Sequence, residues 1–367
     1  MKIPFVDLKA QYESIKDEID TAISDILENT AFIGGEPVAN FEKKFAALYG
    51  VNHCISTANG TDSLYIIMKM LGIKEGDEVI TVANSWISSS ETISQTGGTP
   101  VFVDIDPAYY SMDELKLEEK ITSRTKAIMP VHLQGQMCEM DKIMSIANKI
   151  GIPVIEDCAQ SHFSELNGKR AGLFGVAGSF SFYPGKNLGA YGDAGCIITN
   201  NDELADKFRM YANHGALKKH EHIIEGINSR LDGLQASILS VKLDYILKWT
   251  EKRIENAELY NRHLSDIRDI VLPAVRPSSK HTFHLYMIRA KKRDELAAYL
   301  SKVGVATSIH YPTILPNLPA YDYLSHTPDD FPVASAYQNE ILSLPMYPEL
   351  TKVKIEYIAS KIREFYS

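Results

Sequence analysis

Residues 178–200 read GSFSFYPGKNLGAYGDAGCIITN, two apolar runs joined by a glycine-rich connection that contains a single lysine, Lys186. Such runs, bounded by turn residues, predict two strands with a loop between them. A lysine after a glycine in this setting suggests a phosphate grip. A Walker loop, however, needs four residues between its glycines and a hydroxyl residue after the lysine. Here six residues separate Gly178 from Gly185, and Asn187 follows Lys186. LGAYGDAG does not supply GxGxxG either, so the dinucleotide fingerprint is also missing. Lys186 is then either a solvated loop lysine or the bearer of some other chemistry.

Working outward, short apolar runs alternate with amphipathic segments: HCIS, EVITV, PVFVDI, AIMPVHL and PVIEDC precede the lysine loop. That rhythm predicts an α/β fold with a mostly parallel sheet. Leu64, Ile67, Met68 and Leu71 recur at i, i+3, i+4 and i+7, the apolar stripe of one helix. Residues 231–248 predict a single long helix with Leu234, Ile238, Val241 and Tyr245 on one face. Beyond it the texture changes, with a helix from Asp294 and a last helix that turns Ile355, Ile358 and Ile362 inward. The expected division is a large α/β domain over 1–250, including an N-terminal helix, and a smaller α+β domain over 251–367.

The totals narrow the function. A chain of 367 residues with 45% hydrophobic content can bury a large core, and a formal net charge of −9 argues against nucleic acid or an anionic membrane as partner. Small molecules are the expected ligands. Four cysteines without CxxC spacing indicate neither a disulfide framework nor zinc, and they fit a reducing cytoplasm. The first twenty residues carry charges throughout and lack the features of a leader peptide.

In open parallel sheets, ligands bind beyond the carboxyl ends of the strands. After HCIS, the segment Thr57 to Ser63 runs into a helix whose first N–H groups would hold a phosphate, or whose Asn or Thr simply caps it. After EVITV comes Trp86, a core residue or a ring that stacks on an aromatic ligand. After PVIE comes Asp157, with Gln160 close behind. A carboxylate at the end of a buried run is costly unless a cation or donors meet it. Glu156 and Asp157 with His162 make a poor metal set, and His220-Glu221-His222 reads as a loop because two histidines without a third ligand have little specificity. No metal is expected. A lysine, an anion-holding helix start, an aromatic and a buried Asp are together what pyridoxal phosphate needs for its aldehyde, phosphate, ring face and ring nitrogen.

IPFVDLK, FIGGEPVANFEKKFA, ANGTDSL, GDEVIT, KAIMPVHLQGQ, PVIEDCAQSH, SFSFYPGKNLGAYGDAG, NHG, GINSRLDGLQASIL and IHYP occur in that order along the chain. In this series the sequence resembles the fold-type I, pyridoxal-phosphate-dependent nucleotide-sugar aminotransferases of the DegT/StrS type, over nearly its whole length. The resemblance implies that Lys186 takes the cofactor aldehyde and later moves a proton, and that Asp157 partners the ring nitrogen. It places Gln160 beside the ring hydroxyl and Trp86 on the ring, with Gly60, Thr61 and Ser181 around the phosphate. Asn228 would reach the phosphate from the other subunit, so a homodimer with shared sites is implied.

Glutamate is the implied amino donor and a nucleotide-linked 6-deoxy keto-sugar the acceptor, nearest the branch that aminates C3 of a dTDP-3-keto-6-deoxyhexose. Amination at C4 of a UDP- or dTDP-sugar, or of a cyclitol ketone, stays open, as does a catalytically silent scaffold or regulator on the same fold. Lys218, Lys219 and Arg230 are expected near the diphosphate, the two lysines being equally readable as a solvated pair and Arg230 as the anchor of a helix start. His310 and Tyr311 are expected to border the sugar, or His310 to be a buried structural histidine. Tyr183 would line the pocket or merely pack. Gln134 stands where the family frequently has a tyrosine. The presence of Lys186 argues against the family's dehydratase branch, which carries histidine there.

Overall fold

The computed structural model describes residues 1–367. Seven strands form the central sheet in the spatial order Thr99–Val103, Glu78–Val82, Thr125–Met129, Ile155–Asp157, Ala177–Ser181, Gly195–Thr199 and His53–Thr57. All run parallel except Gly195–Thr199, which is antiparallel to both of its neighbours. Its partner Ala177–Ser181 is the first run of the lysine segment. The expected α/β fold with a mostly parallel sheet is therefore present.

Side chains on adjacent strand positions face opposite layers, and the sheet uses both. Cys54, Ile80, Phe102, Ile128, Phe180 and Ile198 belong to a core of 51 buried residues shared with the helices Gly35–Tyr49, Met140–Ile150 and Gly233–Leu243. Their neighbours Ile55, Val79, Ala127, Met129 and Ile197 enter a second core with the helices Gly60–Met70 and Asp202–Ala212. Leu64, Ile67 and Met68 are buried there, as their spacing predicted.

One residue stitches the two halves of the sheet. Strand Ile155–Asp157 is laddered to Ala177–Ser181, but it meets the Thr125–Met129 side only through single bridges, Ile128 with Val154 and Val131 with Asp157. Glu156 is fully buried and accepts from the N–H groups of Gly172 (2.8 Å), Phe174 (2.6 Å) and Gly175 (2.7 Å). Its other contact is His132 Nε2 at 2.9 Å. Because His132 Nδ1 accepts from the Cys138 N–H at 3.1 Å, the imidazole proton sits on Nε2 and is donated to Glu156. Both ring nitrogens and both carboxylate oxygens are thus committed to hydrogen bonds, although His132, Glu156 and Cys158 lie within metal-binding reach of one another.

Residues 231–248 form two helices rather than one. The ladder tightens where the Asp244 N–H bonds Val241 O and the Tyr245 N–H bonds Lys242 O, and a new helix, Ile246–Leu264, starts there. Ile238 is buried, while Leu234, Val241 and Tyr245 are only half-buried. The division expected at residue 250 falls inside this second helix. Ile246 and Trp249 pack into the first core, whereas Ala257, Tyr260 and Leu264 pack into a separate 22-residue core. That third core lies on the antiparallel strands Ile270–Val271, Tyr286–Ala290 and Ile341–Leu344, backed by the helices Arg293–Lys302 and Lys352–Tyr366. Ile355, Ile358 and Ile362 face inward, as expected, and Ile3 from the N-terminus joins them.

The chain then returns to the large sheet. Ile314, Leu315, Tyr321 and Phe331 belong to the first core, the Leu315 N–H donates to Ala83 O (2.8 Å), and Asp104 accepts from Val333 (3.0 Å) and Ala334 (2.9 Å). No helix is long and apolar enough to cross a membrane.

Glu156→Gln replaces a charged acceptor by an amide that cannot accept from all these donors, so we expect a loss of about 3 kcal/mol or more in unfolding free energy. Denaturant unfolding checks it, and a loss below about 1 kcal/mol would contradict the clamp.

Candidate active site

The parallel strands deliver their carboxyl ends to one edge of the sheet, and a cavity of about 460 Å³ opens there. Gly60, Thr61, Trp86, Asp157, Gln160, Ser181, Tyr183, Lys186, His310 and Tyr311 all line it. Sequence positions from 60 to 311 therefore meet in one place.

The phosphate-type cradle comes from the Gly60–Met70 helix. Asn59 caps it, its side chain accepting from the Asp62 N–H at 2.8 Å. The first N–H groups, at Gly60 and Thr61, have no acceptor inside the helix and so remain for an anion. A Cβ on Gly60 would lie 2.7 Å from Ser181 Cβ, so only glycine lets the helix start approach the end of Ala177–Ser181. Thr61 shares a hydroxyl hydrogen bond of 2.7 Å with Ser88.

Asp157 ends its strand with its side chain toward the cavity floor. The Ser89 hydroxyl donates to Oδ2 (2.8 Å) and the Ala159 N–H to Oδ1 (3.1 Å). Burial pushes its carboxyl up, opposed by the Ala159 N–H, the Ser89 hydroxyl and the Lys186 ammonium. Gln160 accepts from the Gln134 N–H (2.7 Å) and donates to Tyr311 OH (3.1 Å), so it ties the strand end to the segment from the second half of the chain. Gln134, where a tyrosine was the alternative, is buried and has φ +64°, with its side chain against Met287 Sδ.

Lys186 follows the Pro184-Gly185 turn, closed by its own N–H on Tyr183 O (2.8 Å). Burial pushes its ammonium down to about 8, against the pull of Asp157. Trp86 is 59% exposed, with its ring centroid 5.8 Å from that of Tyr311. Tyr183 is 60% exposed at the mouth. His310 bonds Ser343 Oγ (2.9 Å), and burial pushes it down to about 4, so it is neutral at pH 7.

Four expected residues lie elsewhere. Asn228 and Arg230 are exposed, and neither lines this chain's own cavity. Lys218 and Lys219 sit on an exposed loop, where Lys218 faces Glu221 at 4.0 Å. His220 and His222 share that loop, and His222 Nδ1 is engaged with His214 O. His162 is buried between Phe180 and Phe182, away from Glu156's hydrogen-bond partners. Sequence reasoning missed Ser89, which holds Asp157, and Asp193 in the cavity wall. The run of serines after Trp86 and the acid in GDAG were the signals for them.

Comparison with known proteins shows the family. Residues 13–363 match the model of the DegT/DnrJ/EryC1/StrS aminotransferase family. A pleiotropic regulatory protein of Geobacillus stearothermophilus is 44% identical over 100% of this chain and 99% of its own length. A dTDP-3-amino-3,6-dideoxy-alpha-D-galactopyranose transaminase of Aneurinibacillus thermoaerophilus is also 44% identical, over 99% of both chains. The crystal structure of S. venezuelae DesV superposes with a TM-score of 0.97 at 36% identity, covering 100% of this chain and 99% of that one.

A depressed lysine is a free amine at lower pH than an ordinary one. The rate at which Lys186 condenses with an added aldehyde should level off above pH about 8, whereas an ordinary lysine gains until about pH 10.4. Borohydride trapping and peptide mass spectrometry across that range provide the check. A profile still climbing at pH 10 would contradict the shift.

Proposed function

This chain belongs to the DegT/DnrJ/EryC1/StrS aminotransferase family and is a pyridoxal-phosphate-dependent aminotransferase, and from that premise we propose the transfer of an amino group from glutamate to C3 of a dTDP-3-keto-6-deoxyhexose. The observation that carries the chemistry is the convergence of Lys186 and Asp157 on one cavity whose wall contains the Gly60–Ser181 cradle. The 44% identity to a dTDP-3-amino-sugar transaminase supports the sugar and the carbon. Amination at C4, of a UDP-sugar or of a cyclitol ketone is the alternative for the same cavity.

The residues fit the cofactor. Gly60, Thr61 and Ser181 would hold its phosphate, since a Cβ at residue 60 has no room and the helix start has N–H groups to spare. Asp157 would hold the proton of the ring nitrogen, Gln160 would neighbour the ring hydroxyl, and Trp86 would cover a ring face. When bound, the cofactor supplies an aldehyde that takes an amine and a cationic ring that accepts the electrons left on carbon.

The chain's own groups do the rest. Burial pushes the Lys186 ammonium down to about 8, so its Nζ gives up a proton more readily than an ordinary lysine. As the free amine it would accept the proton from the donor's α-carbon and deliver it to the aldehyde carbon of the bound cofactor. The Asp157 carboxylate is raised by burial and favoured in its charged form by Ser89 and Ala159. A cationic partner stabilises that charged form further. Trp86, Tyr183 and Tyr311 line the cavity and would cover the reacting atoms once the substrate is bound.

The exposed positions of Asn228, Arg230, Lys218 and Lys219 find a use in a homodimer whose sites are shared. Asn228 would reach the partner's phosphate cradle, and the basic side chains would meet the nucleotide diphosphate. The surface beside them supports such a contact, with Phe32, Ile33, Leu217, Ile223 and Ile224 all exposed. The Phe32 carbonyl accepts from the Gly233 N–H, and Ile33 bridges Asp232, which puts Phe32 and Ile33 beside the residues that follow Arg230. The reaction is read as cytoplasmic and as a step toward a deoxyamino sugar of a polysaccharide or natural product. A silent regulator would have no use for Lys186 and Asp157 together, so their joint presence favours turnover over the scaffold reading.

Incubation with glutamate and a panel of 3-keto and 4-keto nucleotide sugars, read by NMR, should give an amine at C3 of the dTDP-linked substrate. Product at C4 alone would remove the C3 assignment. Lys186→Ala should abolish turnover while pyridoxal phosphate still binds without a covalent link. For Asp157→Asn we expect kcat to fall about 10²-fold or more with little change in melting temperature, and wild-type kcat in either variant refutes these roles.

A further inference from the structure

Lys242 lies on the Gly233–Leu243 helix, outside the cavity, and is fully buried. Its Nζ donates to the Gly189 carbonyl at 2.6 Å and stands 4.1 Å from the centre of the Tyr191 ring. Lys242 makes no ion pair, Glu349 acts on it only through its charge, and burial pushes the ammonium down to about 7. A buried cation without a carboxylate is expensive, and an apolar side chain of similar volume would fill the space without that cost.

Gly189 lies three residues beyond Lys186 on the same loop. The loop is tight there, since a Cβ on Gly189 would lie 2.4 Å from Pro184 O. Its base is closed by the Phe182 N–H on Ala194 O (2.8 Å) and the Ala190 N–H on Phe182 O (2.7 Å). On one side Asn187 anchors it, donating to Thr282 O at 3.2 Å and meeting His284 Nδ1 at 3.2 Å. On the other side two residues of one helix grip its backbone, Gln235 accepting from the Tyr191 N–H (2.8 Å) and Lys242 donating to Gly189. They are seven positions apart, two turns on one helix face.

We propose that Lys242 is a positioning residue for Lys186, its buried ammonium holding the Gly189 carbonyl and so fixing the loop that presents the reactive amine. This rests on the reading of Lys186 as the amine that takes the cofactor. A long, compact donor is needed because the helix lies behind the loop and the carbonyl to be held faces it. With the donor removed, Gly189 O would be a buried acceptor without its charged partner, and the segment between the Asn187 anchor and Tyr191 would relax. A small displacement of a reacting group is amplified in rate, because the attacking atom must sit in near-attack geometry.

The test uses holoenzymes of wild type, Lys242→Met and Lys242→Arg loaded with pyridoxal phosphate. Borohydride reduction and peptide mass spectrometry first locate the cofactor, and trapping on a residue other than 186 in the wild type overturns the underlying reading of Lys186. The glutamate half-reaction is then followed by absorbance in single turnovers, at a temperature where melting curves show each protein folded. Lys242→Met should remain trapped on residue 186 yet lose about 10- to 100-fold in rate, with KM for glutamate within about twofold. Lys242→Arg, which keeps charge and donors, should recover most of the loss. A Lys242→Met rate within about threefold of wild type, whatever its melting temperature, overturns the positioning role. Should Lys242→Met not fold, Lys242→Gln, shorter and uncharged, replaces it with the same expected loss and the same criterion.

Discussion

The Glu156 carboxylate, buried among three backbone N–H groups and His132, is the constraint on which the rest of the architecture depends. The chain between residues 172 and 175 must pass close to the strand that carries it, and Gly175 can do so only without a side chain, since a Cβ there would lie 2.2 Å from Val154 O. A full negative charge in that interior is tolerable because three of its donors are backbone N–H groups fixed by the fold and the fourth, His132, is oriented by the Cys138 N–H on its other ring nitrogen. What the clamp secures is alignment. The strand ending at Asp157 is held in step with Thr125–Met129 on one side and with Ala177–Ser181 on the other.

Alignment matters because neighbouring residues of a strand point to opposite faces. Glu156 turns into the structural clamp, and Asp157, one residue later, turns its carboxylate to the cavity. Two adjacent acids therefore have opposite duties, one saturated by donors and one raised in pKa by burial, with the Ala159 N–H, the Ser89 hydroxyl and the nearby Lys186 moderating the rise. The strand next along ends at Ser181 and passes into the lysine loop, so the amine and the acid reach the same space from adjacent strands. Lys242 extends this logic outward, with a buried charge behind the loop instead of beneath it.

Much of this was legible along the chain. The short apolar runs around Ile55, Ile80 and Ile128, alternating with amphipathic segments, announced a mostly parallel sheet, and the spacing of Leu64, Ile67 and Met68 announced the helix whose start forms the cradle. Asp157, Trp86 and Lys186 were readable because each follows a strand, where parallel sheets place their ligands. Ser89 was not legible, because a serine in a serine run carries no sign of which carboxylate it meets 68 residues away. The break at Asp244 was equally hidden, since the apolar period runs through it while the backbone bonds do not. The Glu156–His132 contact escaped a search for ligand spacing because it joins a strand to the loop after a different strand, 24 residues away.

Local periodicity and the chemistry of strand ends were determined by the sequence alone, because they depend on near neighbours and on side-chain alternation. They established an α/β fold with a mostly parallel sheet and brought out the lysine, the carboxylate and the helix start as the groups worth watching. Tertiary structure decided which residues share a space: it folded 314–334 back onto the large sheet, carried His310 and Tyr311 into the cavity, and left Asn228 and Arg230 facing outward. Those outcomes rest on contacts between positions far apart in the chain, whose burial and hydrogen bonding exist only once the layers have packed.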